Sequence, residues 1–158
     1  MLTAQLTQNK QQKGFTLIEL LVVIGILAIL LAIVLIAINP ARQFGQANNT
    51  RRQSDVTQVL NAVGAYEADN AGKLPSVLSG TADNTFIDAR LICADILPNY
   101  IPSLPVDPTI NNGAAFATCA DADAGPTDTA YQVEHDSSGH VTVKASITDN
   151  SAVITNTR

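Results

Sequence analysis

Aromatic residues are scarce in this chain of 158 residues, which has no Trp, three Tyr and four Phe. The scarcity argues against stacking platforms for bases or sugars, because such platforms are built from aromatic faces. Cations are also few after residue 52, where four basic residues stand against thirteen acids. Because an acidic surface repels phosphate backbones, we expect no direct nucleic-acid binding by this region.

The usual catalytic motifs are missing too. The sequence has no P-loop, no CxxC pair and no nucleophile elbow, so an enzyme is the least favoured class and no cofactor is expected. His135 and His140 flank a predicted turn, where an exposed cross-strand pair is favoured over a metal site. The two cysteines, Cys93 and Cys119, predict a disulfide if this region lies outside the cytoplasm. The alternative is two buried free thiols.

One long apolar run, residues 15–38, contains a single ionisable group, Glu19. As a helix the run rises about 36 Å, which is enough to cross a bilayer core of about 30 Å. An acid inside a membrane-length segment costs about 2.5–3.5 kcal/mol, so we expect Glu19 to have a function. Lys10 and Lys13 precede the run and predict a cytoplasmic N-terminus. Three cations that follow the run argue weakly for the opposite orientation: Arg42, Arg51 and Arg52.

The residues at the start of this run, Lys13-Gly14-Phe15-Thr16-Leu17-Ile18-Glu19, are joined to an apolar helix in fixed register. This arrangement resembles the class III signal of bacterial type IV prepilins and pseudopilins. The resemblance implies that a prepilin peptidase cuts between Gly14 and Phe15 and then methylates the new amine of Phe15. It further implies that Glu19 meets the Phe15 amine of a neighbouring subunit during assembly.

The same resemblance implies the partners and the location of the protein. The partners would be copies of the chain in a helical polymer, minor pilins, the prepilin peptidase, an assembly ATPase and a platform membrane protein. Before assembly the chain would cross the inner membrane once, in contact with lipid and with its N-terminus in the cytoplasm. After assembly it would lie in an extracellular filament.

The predicted fold class is α+β, with a long N-terminal helix packed against a small antiparallel sheet. We predict a leader at residues 1–14, a membrane or filament-core helix at 15–38, an amphipathic half at 39–71 and a globular head at 72–158. Helix would run from Phe15 to about Asn70, with weak points at Gly25 and Pro40. By resemblance, the helix would loosen between those two residues in a filament.

The head shows two clear periodicities. An apolar stripe with helical spacing predicts the packing face of the second half of the helix: Val56, Val59, Leu60, Val63 and Tyr66. Alternation over residues 131–135 and 141–147, joined by residues 136–139, predicts a β-hairpin. Residues 152–155 could add a third strand. A short helix is predicted at residues 88–97 and a surface loop at 109–128.

Two weaker site hypotheses remain. Asp121, Asp123 and Asp128 could hold Ca²⁺, although Gly125 and Pro126 break the EF-hand pattern and a solvated loop is favoured. A glycosylation sequon at Asn48-Asn49-Thr50 is discounted because it falls within the predicted helix, close to the membrane.

The sequence favours a subunit of a type IV pilus-like filament for adhesion, twitching motility or DNA uptake. The alternatives are a pseudopilin of a type II secretion system and a membrane-anchored monomeric binding domain.

Overall fold

The computed structural model describes residues 14–124 and 128–158, which fall into two compact units that meet between Pro40 and Ala41. The α+β layout predicted from the sequence is confirmed. The first unit contains helix α1, Leu17–Ala37. The second unit is built on helix α2 (Pro40–Asp69), the short helices α3 (Ser76–Ser79), α4 (Cys93–Ile96) and α5 (Cys119–Ala124), and the strands β1 (Ile87–Asp88), β2 (Tyr131–His135), β3 (Val141–Ala145) and β4 (Thr155–Thr157).

The helix predicted to run from Phe15 to about Asn70 is interrupted between α1 and α2. Ile38 has extended backbone angles (φ −91°, ψ 116°), and helical geometry resumes at Pro40. Proline disfavours helical geometry at the residue before it, here Asn39, and fits well at the first position of a new helix. Gly25 does not interrupt α1, which continues through it.

The core of the second unit lies between one face of α2 and the sheet. Val56, Val59 and Val63 are fully buried, and Leu60 nearly so, as the helical stripe predicted. Tyr66, at the end of the stripe, is half-buried and packs edge to face against Tyr100, with ring centroids 5.6 Å apart. The sheet contributes a second row of buried side chains: Tyr131, Val133, Val141, Val143 and Ala145.

All four strands of the sheet are antiparallel, in the order β1-β2-β3-β4. The predicted hairpin is β2–β3, in which Val133 pairs with Val143, and the chain turns over residues 136–140. The predicted third strand was placed too early. Its pairing segment is Thr155–Thr157, because residues 148–151 form a loop that packs on α2 before the chain returns to the sheet.

Two further elements differ from the sequence prediction. Residues 88–97 hold a short 3-10 turn followed by α4 rather than one helix, and β1 immediately precedes the turn. The predicted loop at residues 109–128 contains α5. Helix α5 begins at Cys119, whose disulfide to Cys93 of α4 confirms the expected bridge. Closing a loop of 26 residues stabilises the fold by about 3–4 kcal/mol in the chain-entropy account.

A buried arginine joins α2 to two loops of the head. Arg52 is completely buried, and its Nε and Nη2 donate to the two carboxylate oxygens of Asp107 at 2.6 and 3.0 Å. Its Nη1 donates to Asp149 at 2.7 Å and to Asn49 at 2.9 Å. The guanidinium therefore bridges α2, the segment that precedes a 3-10 turn at Asn111–Gly113, and the loop between β3 and β4.

Electrostatics and hydrogen bonding support the ionised form of this network. Burial by itself would raise the pKa of Asp107, but hydrogen bonds from Arg52 and Thr109 outweigh it and lower the pKa. The Thr109 amide and hydroxyl donate to Asp107 at 2.8 and 2.6 Å. The Arg52 hydrogen bond also lowers the pKa of Asp149. Removal of one partner leaves the other charge buried without compensation, and this strongly lowers the free energy of unfolding.

The loop at residues 148–151 lies directly on α2 because Gly45 leaves room for it. A Cβ on Gly45 would come within 2.9 Å of the Asp149 Cβ, so no larger residue fits without moving this backbone. The Asn49 side chain then pairs with the main chain of Asp149, donating to its carbonyl at 2.7 Å and accepting from its amide at 3.0 Å. No local sequence pattern indicates this contact or the burial of Arg52.

Replacing Arg52 with Met tests the weight of this network. The substitution retains much of the side-chain volume but leaves Asp107 buried without its cation, so the free energy of unfolding should fall by about 3–5 kcal/mol. Denaturant unfolding of the full chain in detergent micelles measures the change. The control is Arg51→Met, which removes a half-exposed arginine that pairs at 3.8 Å with Asp55 and donates to the Gly113 carbonyl, and it should cost about 1–2 kcal/mol. Equal losses in the two variants would contradict the role given to Arg52.

Candidate processing and assembly site

The N-terminus of α1 is closed by a capping box between Thr16 and Glu19. The amide and the hydroxyl of Thr16 donate to Oε2 of Glu19 at 2.9 and 2.7 Å. The Glu19 amide donates to Oγ1 of Thr16 at 3.3 Å. The sequence predicted an assembly role for Glu19 but not this contact within its own chain. The Thr-x-x-Glu spacing before an apolar run is a capping signal that could have revealed this contact.

This capping box places the Glu19 carboxylate at the first turn of the helix, beside the backbone that leads to Phe15. A carboxylate in this position also interacts favourably with the positive end of the helix dipole. If the Gly14–Phe15 bond is cut, the new amine belongs to the residue immediately before the Thr16 cap. One chain therefore presents a carboxylate and, after cleavage, an amine at the same helix end.

Gly14 and Gly25 have no packing role among the described residues. A Cβ at either position would meet no atom within 4 Å, and neither residue needs a left-handed backbone. A glycine inside a helix such as Gly25 costs about 1 kcal/mol relative to alanine. The packing of the described residues therefore does not require glycine at either position.

Helix α1 has no buried residue in its 21 positions, although it is apolar all round. Phe15, just before it, is 85% exposed, and Ile36 near its end is 86% exposed. Among the described residues, α1 is the one helix long and apolar enough to cross a membrane. A helix apolar on every face is stable only where lipid or other protein surrounds it.

The comparison with protein families decides how this segment is classified. Residues 9–35 match the model of the prokaryotic N-terminal methylation motif. The chain carries this methylation motif. The motif is the class III signal of type IV pilins and pseudopilins, so the resemblance identified from residues 13–19 is confirmed. Comparisons with curated proteins and with solved structures gave no significant match.

The motif covers Gly14, Phe15, Glu19 and Gly25, and the residues of the predicted leader before Gly14 lie outside the described structure. The motif is consistent with anchoring of α1 in a membrane and with later filament assembly. It does not extend to Pro40 or to the head. Cleavage after Gly14, methylation of Phe15 and the orientation indicated by Lys10 and Lys13 remain predictions.

The three aspartates considered for calcium have separate partners. Asp121 caps α5 through the amide and hydroxyl of Thr118, and Asp123 pairs with Arg90 at 2.8 Å. Asp128 accepts from the Ala130 amide at 2.7 Å. Across residues 14–124 and 128–158, no cluster of three potential metal ligands forms. Gly125 and Pro126, which break the EF-hand pattern, lie outside the described residues.

The two histidines and the sequon also have structural partners. His140 binds Asp136 at 3.0 Å, whereas the Nε2 of His135 lies 3.3 Å from the Thr81 carbonyl. The expectation that the two rings could face each other finds no support in these contacts. The Asn48 side-chain amide lies 3.4 Å from Asp149, and the residue is half-buried on α2, where a glycan would collide with the loop.

Asp88 and Asp128 form a pair of interacting carboxyl groups that the sequence did not predict. Asp88 receives hydrogen bonds from the Arg90 amide at 2.7 Å and from the Thr129 amide at 3.1 Å. Burial and the neighbouring Asp128 raise the pKa of Asp88 to about 6, and the pKa of Asp128 is lowered. Asp88, which precedes the 3-10 turn, and Asp128, which precedes β2, therefore interact, and Asp88 is the member of the pair that holds a proton more readily.

The Thr16 cap can be tested by amide exchange. Thr16→Val removes the hydroxyl that both accepts from the Glu19 amide and donates to its carboxylate, at an expected cost of about 1 kcal/mol. Exchange of the Glu19 amide in micelles should become about fivefold faster. Thr50→Val is the control, because its hydroxyl binds a carbonyl within α2 and its loss should leave the Glu19 amide unchanged. Unaltered exchange in Thr16→Val would show that the cap does not form in a lipid-like environment.

The Asp88 pair predicts a slope of stability with pH. A folded-state pKa raised above the unfolded value means that the native state holds the proton more tightly, so stability should fall as pH rises from about 4 to about 6. Asp88→Asn should flatten this slope, whereas Asp95→Asn, a carboxyl on α4, should leave it as in the unaltered chain. The measurement is the denaturation midpoint of the full chain across this pH range. A slope that survives in Asp88→Asn would assign it to another group.

Proposed function

We propose that the chain is a structural subunit of a type IV pilus-like filament, stored in the membrane and assembled through α1 after processing between Gly14 and Phe15. The observation that supports this proposal most is the methylation motif, whose match includes the cleavage position, Glu19 and most of α1. An apolar helix with no buried side chain supports it as well, because such a helix needs first lipid and then copies of itself.

Processing uses the small size of Gly14 rather than its backbone flexibility. Gly14 meets no neighbour in its own chain, so its lack of a side chain serves access of a peptidase to the Gly14–Phe15 bond. The exposed Phe15 next to it leaves the bond unprotected by the fold. Cleavage creates the Phe15 amine one residue before the cap. Methylation keeps that amine cationic.

Glu19 then directs assembly by pairing with a neighbouring amine. Within one chain its Oε2 accepts from Thr16, which leaves the other carboxylate oxygen available for the Phe15 amine of the next subunit. The cap lowers the cost of holding the acid in lipid, because hydrogen bonds already replace part of its hydration. A buried ion pair adds little net stability, but a mismatched register leaves a charge without a partner. The pair therefore specifies the axial register of the polymer.

Two further functions remain as alternatives. A secretion pseudopilin would share the whole N-terminal segment, and the motif does not distinguish it. The separate partners of Asp121, Asp123 and Asp128 favour a pilus, since these residues do not gather into a calcium loop. A monomeric anchored domain would leave the exposed α1 without protein partners, and cross-linking close to Glu19 would then give no ladder of oligomers.

The experiment examines processing and polymerisation together. Mass spectrometry of the sheared extracellular fraction should find an abundant mature chain that begins at Phe15 and carries a methylated amine. Glu19→Ala should still insert and be cleaved but should not polymerise. Filaments formed normally by Glu19→Ala would refute the assembly role, and an uncleaved chain at the cell surface, never polymeric, would refute the function itself.

Glu19→Gln separates the charge from the cap. Glutamine at the third helical position still completes a capping box, yet it carries no charge for the Phe15 amine. We therefore expect Glu19→Gln to be cleaved and to fail in polymerisation, as Glu19→Ala does. The matched control, Thr16→Val, weakens the cap but retains the carboxylate, and it should polymerise. The opposite pattern would assign the function of Glu19 to helix capping.

A further inference from the structure

A groove of about 530 Å³ opens at the C-terminal end of α2, between that helix end and α3. Its volume is in the range of small-ligand sites, about 300–1,000 Å³. Its lining is mixed: Tyr66, Leu74 and part of His135 are apolar, while the rest is amide, hydroxyl and amine. The lining residues are Tyr66, Asn70, Gly72, Lys73, Leu74, Ser76, Ser79 and His135.

The turn after α2 shapes this groove. Ala71 and Gly72 both adopt left-handed backbone angles (φ 56° and 79°), and the Gly72 amide donates to the Glu67 carbonyl at 2.9 Å. This cap ends α2 and reverses the chain, so that Lys73 and Ser76 stand exposed beside the last turn of the helix. The groove is thus held by main-chain hydrogen bonds.

The charge of the groove is opposite to that of the head around it. No Asp or Glu is among its lining residues, although acids outnumber bases by thirteen to four after residue 52. In the described part of the chain, Lys73 makes no ion pair, whereas Arg51, Arg52 and Arg90 each have a carboxylate partner. An ammonium that has no carboxylate partner attracts a ligand carboxylate at short range, against the longer-range repulsion from the acidic head.

Three carboxylates of the head interact with groups other than Lys73. Asp83 lies 3.7 Å from Nδ1 of His135, and Asp136 binds His140 at 3.0 Å. Asp69 interacts with the Tyr100 hydroxyl. None of these three carboxylates is paired with Lys73, which leaves its ammonium available to a ligand carboxylate.

We propose that this groove binds an acidic saccharide, with the carboxylate of a uronic acid on Lys73 and ring hydroxyls on Ser76 and Ser79. The Ser79 hydroxyl donates to the Ser76 carbonyl at 3.0 Å and keeps its lone pairs for a sugar hydroxyl. Leu74 and the edge of Tyr66 contact the less polar side of the ring. Tyr66 packs on Tyr100, so the groove is no aromatic stacking platform and binding rests on one cation and hydrogen bonds.

An acidic peptide fits the groove less well. One common way to bind an extended peptide is to add it as a strand to a free sheet edge, but β2, which ends at His135 in the groove, is an interior strand with neighbours on both sides. The His135 carbonyl is also taken, because it accepts from the Asn84 amide at 2.8 Å. The groove thus offers side-chain hydroxyls and an amine rather than a ladder of backbone groups, which suits a ligand rich in hydroxyls.

In the test, the full chain in detergent micelles is titrated with a hyaluronan tetrasaccharide. Calorimetry measures the affinity, and NMR chemical-shift changes of the groove residues locate the binding site. Lys73→Gln should weaken binding about three- to fivefold, as expected for one exposed ion pair. Lys144→Gln removes the same charge from β3 and should leave the affinity unchanged. Thermal unfolding of each variant establishes that it is folded. The proposal is independent of polymerisation, and Lys73→Gln should still be cleaved and assembled.

Three other probes decide the ligand class. Chitotetraose, a neutral saccharide, should bind more weakly than the hyaluronan tetrasaccharide by a factor similar to the Lys73→Gln effect. Inorganic phosphate that displaces the saccharide with equal affinity would overturn the proposal in favour of a simple anion site. Hexaglutamate that binds as tightly as the saccharide would overturn it in favour of an acidic peptide. No binding of hyaluronan, or equal binding by Lys73→Gln, would also overturn it.

Discussion

The head of this protein depends on one buried cation. Arg52 has no exposed surface, and its guanidinium joins α2 to Asp107 and to Asp149, which belong to loops 55 and 97 residues away in sequence. The first loop lies between β1 and β2 in the sequence, and the second joins β3 to β4. Since an unpaired buried charge is costly, the loops have one arrangement in which the network is satisfied. Hydrophobic packing on Val56 and Val59 is less specific, because apolar contacts have no direction.

At the N-terminal end of the chain, polar groups cap a helix rather than join loops. Thr16 and Glu19 satisfy each other at the start of α1, a helix that otherwise contains only apolar residues and glycine. In water this cap would be a modest local stabilisation. In lipid it takes the place of hydration for a carboxylate that the segment retains at a cost. The methylation motif and the proposed pairing with the Phe15 amine give that cost a function.

The two glycines of the N-terminal segment show how an unexplained residue can indicate an external requirement. Neither Gly14 nor Gly25 is forced by packing or by backbone angle. Gly45, in contrast, is required by the fold, because the side chains of Asp149 and Asn150 lie against it. The comparison separates a glycine that the fold of the head requires from glycines that have no packing role in the described chain.

Much of this protein follows from its sequence, since composition and periodicity act locally. The run at residues 15–38, the register from Gly14 to Glu19, the stripe from Val56 to Val63 and the β2–β3 hairpin are all patterns of neighbouring residues. Tertiary structure alone decided that Arg52 and Asp55 are buried, although both stand at polar positions of an amphipathic helix. Their partners, Asp107 and Tyr131, are distant in sequence, and no local pattern specifies such a pairing. The start of β4 and the groove beside Lys73 were undetermined for the same reason, because each depends on where two remote segments meet.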